Sequence, residues 1–60
     1  MKKTLKQLLR WAKGRCEIEI YVSGRAEVRM VYDNFYTVYS KNTLYEALQM
    51  AYSAETDKEK

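Results

Sequence analysis

The chain has no proline, no histidine, one cysteine and two glycines among its 60 residues. Each shortage removes a class of explanation. Without proline, no loop is stiffened by a fixed φ. A lone Cys16 cannot close an internal disulfide, so the sequence predicts a reduced, cytoplasmic setting rather than a secreted, cross-linked scaffold. Its place in an apolar alternation predicts a small hydrophobe within a strand. Without histidine, the usual general base and the usual nucleophile–base pair cannot be built. Clustered metal ligands are missing from the pattern, and the isolated Gly14 and Gly24 make no phosphate-cradling loop. The composition therefore argues against an enzyme and implies neither a cofactor nor a metal.

Long apolar runs are missing too. Leu5, Leu8 and Leu9 are interrupted by Lys6, Gln7 and Arg10, which predicts neither a signal-peptide core nor a membrane span. A chain of this size makes one small domain, burying only about 60% of the surface its unfolded form exposes. Small domains without staples gain stability by associating, so a homodimer is one expectation.

Charge is present but unevenly placed. The formal net charge is +3. Lys2, Lys3, Lys6, Arg10, Lys13 and Arg15 occupy the first quarter with no acid among them, while every acidic residue lies at Glu17 or beyond. Attraction to phosphate would therefore reside in the N-terminal quarter.

The periodicities divide the chain into five elements. Thr4-Leu5-Lys6-Gln7 has capping-box spacing, and Leu5, Leu8, Leu9 and Ala12 recur at helical intervals up to about Lys13, with Gly14 suited to a left-handed C-cap. From Cys16 the period becomes two. Cys16, Ile18, Ile20 and Val22 alternate with Glu17, Glu19 and Tyr21, and Ala26, Val28, Met30 and Tyr32 repeat the pattern. A Ser23-Gly24-Arg25 loop would pair Val22 with Ala26, Tyr21 with Glu27, Glu19 with Arg29 and Glu17 with Val31. Asp33-Asn34 then marks a second turn, rich in residues that tolerate φ > 0. A two-residue loop there sends Phe35, Thr37 and Tyr39 to the core face, and a three-residue loop sends Tyr36 and Val38. Both registers stay open. Thr43-Leu44-Tyr45-Glu46 caps a second helix, whose stripe is Leu44, Ala47, Leu48 and Ala51, flanked by Tyr45 and Tyr52. The expected fold is α+β in the order α-β-β-β-α, a three-stranded antiparallel sheet with two helices on one face. Residues 1–53 form the compact domain, and 54–60 read as a polar, frayed tail.

Two surfaces are candidates for function. On helix 1, Lys2, Lys3, Lys6, Arg10 and Lys13 fall on one arc beside the leucine stripe, and Lys41 adds a charge before helix 2. The second is the open sheet face, where Tyr21, Arg25, Arg29 and Val31 are partner-binding candidates. Trp11, outside the leucine stripe, joins them as an exposed aromatic anchor or a lid over the core edge.

The element order with a basic first helix is similar to the double-stranded-RNA-binding domain over nearly the whole chain. That resemblance implies that helix 1 and the first strand loop reach minor grooves, while lysines at the start of helix 2 hold phosphates. In Ser40-Lys41-Asn42-Thr43-Leu44-Tyr45-Glu46 only Lys41 takes such a place, and the first strand loop offers only Arg25. The order also resembles small phage-encoded inhibitors of CRISPR nucleases, by topology alone. The first expectation is a non-enzymatic interaction module, in the manner of a phage or mobile-element accessory protein. It would dock on a protein through the open sheet face and Trp11. The second is sequence-nonspecific nucleic-acid binding through helix 1.

Overall fold

The computed structural model describes residues 3–58, and the first turn of its first helix, α1 (Leu5–Ala12), is closed by side chains. Gln7 N–H donates to Thr4 Oγ1 at 3.2 Å and Thr4 N–H donates to Gln7 Oε1 at 2.9 Å, the reciprocal capping box that the spacing predicts. The helix ends at Lys13. Gly14, at φ +79°, then lets Arg15 N–H return to the Ala12 carbonyl at 2.9 Å. No atom lies within 4 Å of a Cβ built there, so backbone conformation alone sets the cost of adding one. Gly14→Ala is expected to destabilise by about 1 kcal/mol, read by circular dichroism as a melting midpoint roughly 4–8 °C lower.

Three strands follow: β1 (Cys16–Ile20), β2 (Ala26–Val31) and β3 (Tyr36–Lys41), antiparallel in the order β1-β2-β3. The expected register of the first hairpin is wrong by two residues. Ile20, not Val22, pairs with Ala26, Glu17 faces Arg29, and Glu19 faces Glu27. The loop is Val22-Ser23-Gly24, closed by Tyr21 N–H to the Arg25 carbonyl at 2.8 Å and by Gly24 N–H to the Tyr21 carbonyl at 2.9 Å. Gly24 explains the choice. A three-residue hairpin loop is a type I turn followed by a left-handed residue, so glycine belongs at its third position, and Gly24 has φ +96°. Both loops hold three residues, so the faces are unchanged, but Val22 leaves the core and stands fully exposed.

The second hairpin settles on the two-residue loop. Tyr32 N–H donates to the Phe35 carbonyl at 2.9 Å across Asp33-Asn34, and the two rings stack at 4.6 Å. Neither turn residue adopts a positive φ, so the tolerance expected of them is unused. Tyr39 faces the core and Val38 faces outward.

Helix α2 (Leu44–Lys58) starts with Glu46 N–H on Thr43 Oγ1 at 3.2 Å, while the Thr43 hydroxyl donates to the Glu46 carboxylate at 3.0 Å. It packs on β2 and β3, and α1 packs on α2. Leu8, Val28 and Leu48 are the largest side chains wholly removed from water. Ala26, Ala47 and Ala51, also wholly buried, let helix and sheet approach closely. The boundary of the tail moves. α2 continues to Lys58, Ala54 packs on the core, and Glu55 is buried because Tyr32 and Tyr39 donate to its carboxylate, the latter at 2.6 Å. Glu59 and Lys60 lie outside the described residues, as does Lys2.

Candidate functional site

Strand alternation sends one set of side chains under the helices and the other to solvent. The outward set is Glu17 and Glu19 on β1, Glu27, Arg29 and Val31 on β2, and Tyr36, Val38 and Ser40 on β3. Arg29 sits at its centre. Its Nη1 lies 3.1 Å from Glu17 Oε1, its Nη2 lies 3.5 Å from Glu19 Oε1, and its guanidinium stands 5.5 Å over the Tyr36 ring. The hydrogen bond that Arg29 donates to Glu17 raises its already high pKa further, against the desolvation that lowers it.

Around this ion pair the face divides. On one side Val31, Tyr36 and Val38 are 54%, 63% and 39% exposed, with Val31 directly opposite Tyr36 and Val38 opposite Arg29. On the other side Glu19 lies opposite Glu27, a like-charged pair that costs stability in the free protein. The Tyr21 hydroxyl leans on this acidic side, and its hydrogen bond with Glu27, then burial, raises its pKa. A shallow pocket of about 190 Å³ is lined by Glu17, Ile18, Glu19, Glu27 and Arg29.

Four of the expected partner-binding residues therefore share one face or its rim. Arg29 and Val31 lie on the central strand, Tyr21 precedes the first loop, and Arg25 reaches across to donate from Nε to Ser40 Oγ at 3.0 Å. Trp11 is not with them. It belongs to the helical layer, edge-on to Tyr52 at 5.3 Å, with the Arg15 guanidinium 5.9 Å above its ring. The structure favours the lid over the anchor, and Trp11 and the open face cannot form one continuous surface. Tyr36, which the sequence left undecided between two registers, is the residue gained.

The basic arc is only partly assembled. Lys6, Arg10 and Lys13 are exposed along α1 and form no ion pair among the described residues. Lys3 is drawn into the helix seam, where its carbonyl accepts from the Tyr45 hydroxyl at 3.0 Å and its Nζ lies 5.1 Å over the Tyr52 ring. Lys41 lines a depression beside Glu46, Tyr45 and Gln49, apart from that arc.

Sequence reasoning missed a buried polar cluster. Glu55 receives both phenols, and the Cys16 thiol donates to Met30 Sδ at 3.0 Å nearby. Desolvation, then the hydrogen bond to Glu55, pushes Tyr39 up to about 12. Burial raises Cys16 as well, with Glu55 adding to the rise and Arg15 opposing it, so its thiol is protonated and unreactive near neutral pH. The cluster ties the end of α2 to the second hairpin. Its signal was Glu55 itself, which continues the Leu44/Leu48/Ala51 stripe at helical spacing.

Among the described residues no helix is long and apolar enough to cross a membrane. Comparison with known proteins finds no matching family, no matching curated protein and no matching solved structure. Function must therefore be argued from these surfaces.

Proposed function

We propose that this chain is a non-enzymatic interaction module that docks on a protein partner through the open face of its sheet. The observation that supports the reading is the outward patch of Val31, Tyr36 and Val38 beside Arg29. The core is built from the opposite face, so three adjacent apolar side chains in water serve no packing need. Tyrosine and arginine are also among the residue types that dominate binding energy at interfaces. With three carboxylates against the guanidinium of Arg29 and, at the rim, that of Arg25, the face is net acidic, which favours a protein over nucleic acid. Biologically, the reading is an accessory or inhibitory protein of a phage or other mobile element, a placement that rests on size and topology alone.

The alternative is nonspecific nucleic-acid binding, favoured by the exposure of Lys6, Arg10 and Lys13. Two variants separate the readings: Tyr36→Ser/Val38→Ser on the sheet, and Lys6→Glu/Arg10→Glu/Lys13→Glu on α1. Affinity capture is expected to recover a stoichiometric protein partner that the sheet variant loses and the helix variant keeps. Fluorescence anisotropy with duplex RNA and DNA is expected to show no binding at about 50 mM salt. Binding that weakens by about −0.9 in log–log slope per phosphate and vanishes in the helix variant would overturn the proposal.

A further inference from the structure

The first hairpin leaves one feature of β1 unused, its outer edge. Tyr21 N–H to the Arg25 carbonyl marks Tyr21–Arg25 as a hydrogen-bonded pair. Ladder alternation makes Glu19–Glu27 and Glu17–Arg29 hydrogen-bonded pairs too. Ile18 and Ile20 therefore turn their N–H and C=O groups away from β2. No other segment of the described residues pairs with that edge.

Its side chains are equally unpartnered. α2 packs on β2 and β3, and no comparable packing of either helix reaches β1. Ile18 and Ile20 are consequently 38% and 62% exposed, although they point to the same side as the buried Val28 and Ala26. The other side of the same strand carries Glu17 and Glu19. An open edge that alternates apolar and acidic residues defines the complement it would accept.

We propose that the outer edge of β1 is a strand-pairing site for an extended segment of a protein partner in which lysine or arginine alternates with apolar residues. The incoming apolar side chains continue the row of Ile18 and Ile20 and cover what the helices leave bare. The incoming cations lie over Glu17 and Glu19. One of them enters the pocket lined by Glu17, Ile18, Glu19, Glu27 and Arg29, where it relieves the Glu19–Glu27 repulsion that Arg29 leaves in place. Main-chain hydrogen bonds supply affinity and the alternation supplies register. A second copy of this chain does not satisfy the site. Pairing β1 with its twin about Ile18 or Glu19, the registers that use the most of the strand, sets glutamates against glutamates, which is how edge strands are kept from self-association.

This proposal rests on the protein-docking reading and adds the chemistry of the occupant. Its test uses a blocked peptide, Thr-Lys-Val-Lys-Val-Lys-Thr, against a counterpart with glutamate for lysine, followed by amide exchange in the isotope-labelled full chain. The lysine peptide is expected to slow exchange at the outward amides of Ile18 and Ile20 by about tenfold or more, as new hydrogen bonds form. The glutamate peptide, and a lysine peptide N-methylated at alternate positions, are expected to leave them unchanged. Glu17→Lys/Glu19→Lys, checked for its fold by circular dichroism, is expected to reverse the peptide preference. No slowing at Ile18 and Ile20 up to millimolar peptide, or equal slowing by both charge types, would overturn the proposal. Resonance shifts confined to Val31, Tyr36 and Val38 would sink edge pairing while leaving open-face docking standing.

Discussion

Val28→Asp is expected to abolish the cooperative unfolding transition, whereas Val22→Asp is expected to leave its midpoint nearly unmoved. Val28 has no exposed surface, sits on the central strand between Ile18 and Tyr39, and lies in the layer that α2 covers. An aspartate there would be a charge without a partner, at a cost of several kcal/mol. A domain of this length has roughly 3–9 kcal/mol in total. Val22, in contrast, is the first residue of the hairpin loop and fully exposed, a setting where substitutions change stability by about ±0.5 kcal/mol. Thermal melts followed by circular dichroism compare the two directly. A large loss in Val22→Asp would restore the register in which Val22 pairs with Ala26.

Glu55→Ala is expected to be the most damaging change to a charged residue. It strips the acceptor from the hydroxyls of Tyr32 and Tyr39, the second of which is buried, and it unties the last turns of α2 from the hairpin. An unsatisfied buried donor costs about 1–3 kcal/mol, which in a domain this small lowers the midpoint by roughly 5–20 °C. The same cluster gives the fold an alkaline limit. Tyr39 is held at about 12, above the ordinary value near 10, so its burial favours the folded state fully below pH ~10. That contribution disappears as the pH rises through about 12. Melting midpoints should therefore fall across this window and fall less steeply in Tyr39→Phe. An identical alkaline profile in that variant would remove Tyr39 as the cause.

These two experiments also mark where the sequence was legible. The N-terminal ends of α1 and α2 could be read because threonine caps act locally, within one turn of the residues that announce them. The faces of β1 and β2 could be read because alternation needs no knowledge of the partner strand. Register was harder. It depends on which three residues form the first loop, and the apolar pattern alone carried it one step too far, to Val22. The position of Gly24 held the answer, since the left-handed residue closes such a loop rather than centring it. The second hairpin rested on a single residue of loop length, which composition does not report. Glu55 was misplaced, and Trp11 left open between lid and anchor, for a different reason. Their surroundings are made by tertiary neighbours, the two hairpin phenols for Glu55 and Tyr52 for Trp11; helical spacing puts Glu55 on the apolar stripe of α2 but does not name the phenols it meets.

The separation of charge has a consequence for how anything meets this molecule. Lys6, Arg10 and Lys13 stand on the helical layer, and Glu17, Glu19 and Glu27 on the sheet face turned away from α2, in a body whose thinnest extent is 17 Å. At physiological ionic strength the screening length is about 8 Å, so each broad side is felt separately from the other. The net charge of +3 describes neither. These two charge groups would turn a basic visitor toward the sheet and an acidic one toward α1 before either makes contact, so that orientation would be selected during the approach. Ionic strength then governs how often an encounter begins the right way round, while the contacts made afterwards govern how long it lasts.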